Sequence, residues 1–153
     1  MKQTDLAYAA GIIDGEGCVT LKLYPYRTYP ALAALVRVAM CDLAPLRKLK
    51  SLFGGSINMI PEKPPRRKQW AWTIQTLQAR KCLSSLRPWL IVKHKQADII
   101  LGLTWLKSGG AHGRSYGLAK EREIALRLIR KYNKRGTYAF LFSKSPFMSS
   151  SAS

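Results

Sequence analysis

At Gly17 the period of the chain changes. Upstream, Leu6, Ala9 and Ile13 recur at helical spacing and make an apolar stripe. Downstream, Val19, Leu21 and Leu23 alternate with Thr20, Lys22 and Tyr24, the two-residue period of a strand with one apolar and one polar face. Thr4 is placed to N-cap the helix, and Asp5 sits favourably in its positive first turn. A second helical stripe, Ala7, Ala10, Gly11 and Asp14, is nearly all small, so another helix backbone can approach it closely. Gly15 and Gly17 are expected to break the helix with Glu16 held between them. A carboxylate projected in this way suits a hard cation.

Downstream of the first strand, prolines at 25 and 30 bracket a turn, and a second strand spans about Leu32 to Cys41. Its apolar face carries Ala34, Val36, Val38 and Met40, and its other face Ala33, Leu35, Arg37 and Ala39. Asp42 can cap a helix to about Phe53, buried through Leu46, Leu49, Leu52 and Phe53 and stopped by Gly54 and Gly55. Ser56–Ile60 reads as a third strand. A basic, proline-stiffened connection from Pro61 to Lys68 leads to a fourth, Gln69–Ile74, in which Trp70, Trp72 and Ile74 face the core. Thr76 can cap a third helix, closed by Pro88, and a fourth runs to about Lys107. A Gly-rich joint lies at 108–115. The last helix, about Leu118 to Lys134, is expected to bury Leu118, Ala125, Leu128, Ile129 and Tyr132. The order is α-β-β-α-β-β-α with two more helices, an α+β fold whose four antiparallel strands are covered by helices on one face and open on the other. Residues 1–136 make one domain, and the Ser-rich end of the 137–153 tail is expected to be disordered.

Charge is the anomaly in the composition. Of 153 residues, 26 are basic and 8 acidic, a net charge of +18, whereas the 47% apolar content is ordinary for a globular chain. Between Cys18 and Ala97 the only acids are Asp42 and Glu62. Such a surface repels itself until a polyanion neutralises it, which points to nucleic acid. The three cysteines lie far apart without a C-x-x-C pair, and there are two histidines, which argues against a zinc site or a disulfide framework. With no signal peptide or membrane span in the sequence, a soluble intracellular protein without a small-molecule cofactor is expected.

Ala9 to Gly17 reads AAGIIDGEG, which resembles the nine-residue signature of the LAGLIDADG homing endonucleases through Ala10, Gly11, Ile13, Asp14 and Gly17. Pro88 to Ala97, PWLIVKHKQA, is similar to that family's second recognisable stretch, P-aromatic-L-x-x-K-x-x-Q-A. Together they imply the homing-endonuclease fold, with a four-stranded antiparallel sheet that lies on DNA. They also imply a metal-dependent endonuclease cutting both strands of a long pseudo-palindromic site, in the cytoplasm or in a chloroplast or mitochondrion if organelle-encoded. The signature occurs once, and the family's single-motif members are homodimers. By this resemblance Ala7, Ala10, Gly11 and Asp14 belong to the dimer interface, and Glu16 and the backbone carbonyl of Gly15 hold Mg²⁺, with Ca²⁺ or Mn²⁺ as substitutes. Lys93 joins Glu16 as a catalytic residue, near the attacking water or the scissile phosphate. One departure stands out: the family usually has a polar residue, commonly Gln, at the end of the second strand, where this chain has Met40. Either the correspondence slips by one position here or the polar member comes from elsewhere, with Arg37 and Arg47 as the candidates.

For base reading, Lys22, Tyr24, Tyr26, Arg27, Arg37, Asn58, Gln69 and Thr73 form the expected set, because Arg and Lys suit guanine and Gln and Asn suit adenine. Arg66, Arg67, Lys68 and Lys95 are expected to grip phosphates, which positions without specifying. The rival readings are a maturase-like protein and a basic structural RNA-binding protein, both keeping the fold without cleavage. Aromatic side chains exposed for stacking on the sheet would favour RNA.

Overall fold

The computed structural model describes residues 1–24, 31–61, 67–103 and 118–134. The turn at 25–30, most of the basic connection, the Gly-rich joint and the tail, and with them Tyr26, Arg27 and Arg66, lie outside the described residues. The elements follow the expected order: α1 (Gln3–Glu16), β1 (Gly17–Tyr24), β2 (Ala31–Met40), α2 (Leu43–Phe53), β3 (Ser56–Ile60), β4 (Gln69–Gln75), α3 (Thr76–Leu86), α4 (His94–Gly102) and α5 (Leu118–Asn133).

α1 differs from expectation at both ends. Its first turn closes on the carbonyl of Lys2, which accepts from the amides of Asp5 and Leu6, so Thr4 lies inside the helix and caps nothing. At the other end Gly15 and Glu16 stay helical, and the chain turns only at Gly17, whose amide donates to the carbonyl of Ile13. A Cβ on Gly17 would lie 2.5 Å from that oxygen and 2.8 Å from the Cα of Ile13. The direct passage from helix to strand therefore requires glycine there. The Asp5 carboxylate meets the Lys48 ammonium of α2 at 2.7 Å, and this hydrogen bond lowers its pKa from the ordinary value.

The strands form one antiparallel sheet in the order β1-β2-β4-β3. Two hairpin-like pairs are joined through β2 and β4, with Arg37 opposite Thr73 and Val38 opposite Trp72. One face carries the core: Val19, Val36, Val38, Trp72 and Ile74 are buried against Ile13 of α1, Leu46 and Leu49 of α2, and Leu83 and Leu86 of α3. The α2–β3 corner is tied to this core. Asp42 caps α2 through the amide of Ala44 at 2.9 Å, and Gly54 ends it at φ +72°. The indole N–H of buried Trp72 donates to the Gly54 carbonyl at 2.8 Å. Gly55, at φ +89°, sits where a Cβ would come within 2.4 Å of the Ile74 side chain.

The outer helices are pinned by polar groups. The Arg80 guanidinium of α3 donates to the carbonyls of Ile100, Leu101 and Leu103, closing the end of α4. Arg87, just past α3, holds both carboxylate oxygens of Asp98 on α4, and these hydrogen bonds lower the pKa of Asp98. Buried Gln96 of α4 donates to Asn133 at the end of α5, and Asn133 donates to the carbonyl of Val19 on β1 at 3.1 Å. α5 buries Ala125 and Ile129, but Leu128 and Tyr132, expected inside, are 38% and 40% exposed. Leu23, expected inward on β1, is also exposed, whereas Met40 packs half-buried against the core. Among the described residues no helix is long and apolar enough to cross a membrane.

Candidate functional site

Two features meet at the C-terminal end of α1. The first is Glu16, the last helical residue, whose side chain is exposed. A helix that ends there leaves its last-turn carbonyls, Gly15's among them, without an i+4 amide, and the negative end of the helix dipole favours a cation. A Cβ on Gly15 would meet nothing within 4 Å, so the chain leaves open space around this backbone. The second is the segment linking α3 to α4. Its amides at Ile91, Val92 and Lys93 all donate to the Asp14 carboxylate, at 2.7, 3.2 and 2.9 Å. The Lys93 ammonium returns to the backbone carbonyl of Asp14. Residues 77 to 79 positions apart in sequence thus form one corner, two residues before the helix ends at Glu16.

The corner fits a divalent cation only in part. Glu16 offers a carboxylate and Gly15 a carbonyl, both hard oxygen ligands. The carboxylate of Asp14 is already engaged by three amides, and no group of three or more His, Cys, Asp or Glu side chains able to hold a metal occurs among the described residues. Among the described residues, one chain therefore brings one available carboxylate, that of Glu16, to this place.

The residues expected at a dimer seam divide. Ala7 and Gly11 lie on the exposed side of α1, beside Tyr8 and in line with Gly15. Ala10 is 1% exposed and packs into this chain's own core, and the Asp14 side chain is turned to the 91–93 segment. A Cβ on Gly11 would have nothing of its own chain within 4 Å.

The sheet face away from the helices gathers most of the expected base readers. Lys22, Arg37, Asn58 and Thr73 line one shallow depression with Leu35, Ala71 and Gln75. Gln69 lies at the start of β4, half-buried beside Ile60, and Arg67 and Lys68 are exposed just before it. Lys95 is apart from this group, in the first turn of α4 with its ammonium 5.4 Å from the centre of the Tyr132 ring. Of the two arginines considered in place of a polar residue at Met40, Arg37 is on this face and Arg47 is exposed on α2. The sequence reading of β4 stops at Ile74 and so leaves Gln75 out of the set on this face. The alternation Gln69, Ala71, Thr73, Gln75 was the signal that could have found it.

No protein-family model matches the chain, and no curated protein matches it. Solved structures do. The chain is similar to the archaeal intron-encoded homing endonuclease I-Vdi141I complexed with DNA, at a TM-score of 0.69 and 19% identity over 89% of this chain and 88% of that one. It is also similar to I-CvuI in complex with a DNA target in the presence of Mg, at 0.63 and 16% over 96% and 87%. The group I intron-encoded I-CeuI complexed with DNA matches at 0.65 and 16% over 89% and 70%. The chain has the LAGLIDADG homing-endonuclease fold. Within this LAGLIDADG fold, α1 carries the AAGIIDGEG stretch and the 91–93 segment belongs to PWLIVKHKQA, so the two stretches that carried the sequence resemblance are hydrogen-bonded to each other.

Proposed function

We propose that the chain is a divalent-metal-dependent endonuclease that hydrolyses both strands of a specific DNA site as a homodimer. The observation that carries this reading is the corner at Asp14. There the helix that ends at exposed Glu16 is bonded through Asp14 to the Lys93 segment, in a fold whose solved neighbours are complexed with DNA.

One available carboxylate per chain is too few for two-metal phosphodiester hydrolysis, and the exposed small stretch of α1 gives a route to a second. Pairing two copies through Ala7 and Gly11 brings two Glu16 side chains to one place, which a long pseudo-palindromic site matches by symmetry. Glu16 and the Gly15 carbonyl would hold Mg²⁺, which when bound would supply charge to stabilise the attacked phosphate and activate water. Lys93 adds a fixed positive charge beside the scissile phosphate. On the open face, Lys22, Arg37, Asn58, Thr73 and Gln75 face base edges, and Arg67 and Lys68 hold the backbone at its margin. Lys95 contacts phosphate from the helical layer. The domain is the 1–136 unit.

Duplex DNA is favoured over single-stranded RNA by the aromatic residues of the sheet. Trp72 is buried, Trp70 is half-buried with the Lys68 ammonium 5.3 Å from its ring centre, and the Tyr24 hydroxyl is engaged by Gln75. Among the described residues the open face therefore offers no row of unengaged rings for stacking bases.

The test is a cleavage screen of the full chain on a randomised duplex library in Mg²⁺, with binding measured in Ca²⁺. Enrichment of one two-fold-related sequence among cut ends supports the reading. Affinity for that duplex should fall by about 0.9 log units per log unit of salt for each phosphate neutralised. A flat salt dependence with no cut product would overturn the reading.

A further inference from the structure

We propose that Asp14 is a positioning residue for the reaction: its carboxylate fixes the 91–93 backbone, and through it the Lys93 ammonium, relative to the Glu16 end of α1. This rests on the endonuclease reading of the corner.

Three successive amides converge on one carboxylate. Oδ2 accepts from Ile91 and Val92, and Oδ1 from Lys93. Consecutive N–H groups pointing into one concavity form an anion-binding nest, and here the anion belongs to the chain itself. Ile91 is 81% and Val92 64% exposed, so burial of these two side chains does not set the path of the segment. His94 adds a local bond from its Nδ1 to the Ile91 carbonyl at 2.7 Å, and Arg87 with Asp98 brace the flanks. None of these ties the segment to α1. Asp14 does so twice, since its carbonyl also receives the Lys93 ammonium. Glu16 is two residues further along the same helix, so any tilt of the helix end moves both groups together.

A residue that acts in this way affects the reaction only through Lys93. Asp14→Asn keeps one acceptor oxygen and should slow cleavage roughly tenfold, and Asp14→Ala about a hundredfold, the scale on which misplacement of about an ångström is felt. Binding to the library-selected duplex in Ca²⁺ should stay within about twofold of wild type. The decisive arm is a cycle with Lys93→Met: once Lys93 is gone, Asp14→Asn and Asp14→Ala should cost nothing further, because coupled residues are not additive. Multiplicative losses, or losses of binding in parallel with cleavage, would overturn the proposal.

A second measurement is independent of cleavage. In the full chain without DNA, amide hydrogen exchange at 91, 92 and 93 should accelerate in Asp14→Ala, with the sheet amides unchanged. Unchanged exchange at those three amides would overturn the positioning role even if the protein cuts DNA. A wild type that cuts no duplex while Asp14→Ala still loosens 91–93 would instead sink the endonuclease reading, and the catalytic role of Asp14 with it.

Discussion

The hydroxyl of Tyr24 on β1 donates a 2.8 Å hydrogen bond to Oε1 of Gln75 on β4, reaching across β2, the strand between them. The Lys22 ammonium lies 4.8 Å from the centre of the same ring. The oxygen of Gln75 is thereby engaged, which leaves its amide N–H groups to donate. A glutamine that reads adenine uses both ends at once, so a tethered Gln75 favours an acceptor on the base edge.

Tyr24→Phe releases that oxygen. The variant should shift base preference at one position of each half-site, by about 1–3 kcal/mol, toward adenine. Selection of bound duplexes from a randomised pool in Ca²⁺ checks this. Coincident profiles for wild type and variant would show that Gln75 does not read a base.

Glu16→Gln keeps the size of the side chain and removes its charge. It should bind the selected duplex in Ca²⁺ to within about tenfold of wild type and give no cut product in Mg²⁺, because the cation loses its charged ligand. Lys93→Met should cut slowly while costing less binding than the double change Arg67→Ala/Lys68→Ala. Time courses on a labelled duplex measure both. A Glu16→Gln protein cutting at the wild-type rate would remove the metal assignment.

Gly11→Leu separates folding from assembly. Within one chain the new side chain meets open space, and leucine is the better helix former by roughly 0.5–1 kcal/mol. The thermal midpoint of the protomer should therefore hold or rise, while light scattering shows loss of the dimer and cleavage disappears. Full activity in a wild type of monomeric mass would rule out a two-chain site.

Gly17→Ala and Gly15→Ala form a matched pair. The first puts a methyl group 2.5 Å from a backbone oxygen that cannot move aside and should cost about 1–3 kcal/mol in urea titrations. The second meets nothing within 4 Å and should be neutral or slightly stabilising. Equal effects would show that the helix-to-strand junction adapts.

Much of this architecture was legible because period and punctuation agreed. Alternation in β1, β2 and β4 gave the core face, and Asp42, Gly54 and Gly55 bounded α2 and β3 where they were expected. The ends of α1 were misread for a physical reason: a capping preference at Thr4 was outweighed by backbone bonds to Lys2, and Gly15 stays helical because the steric demand falls on Gly17. The sequence resemblance paired Glu16 with Lys93, but not the means of joining them. The resemblance implies a place for Asp14 at the dimer interface, and only three-dimensional contact reveals its hold on 91–93. Leu128 and Tyr132 show the limit of a helical stripe, which is wider in pattern than the strip that α5 buries.

The bond from Asn133 to the Val19 carbonyl has a consequence for how copies of this protein meet one another. β1 is an outer strand, and an outer strand with vacant backbone groups is a template on which a foreign strand can grow into an aggregate. With Asn133 seated on that edge, α5 acts as a guard rail along it. The opposite edge, β3, is five residues long and gives an invading strand little to grip.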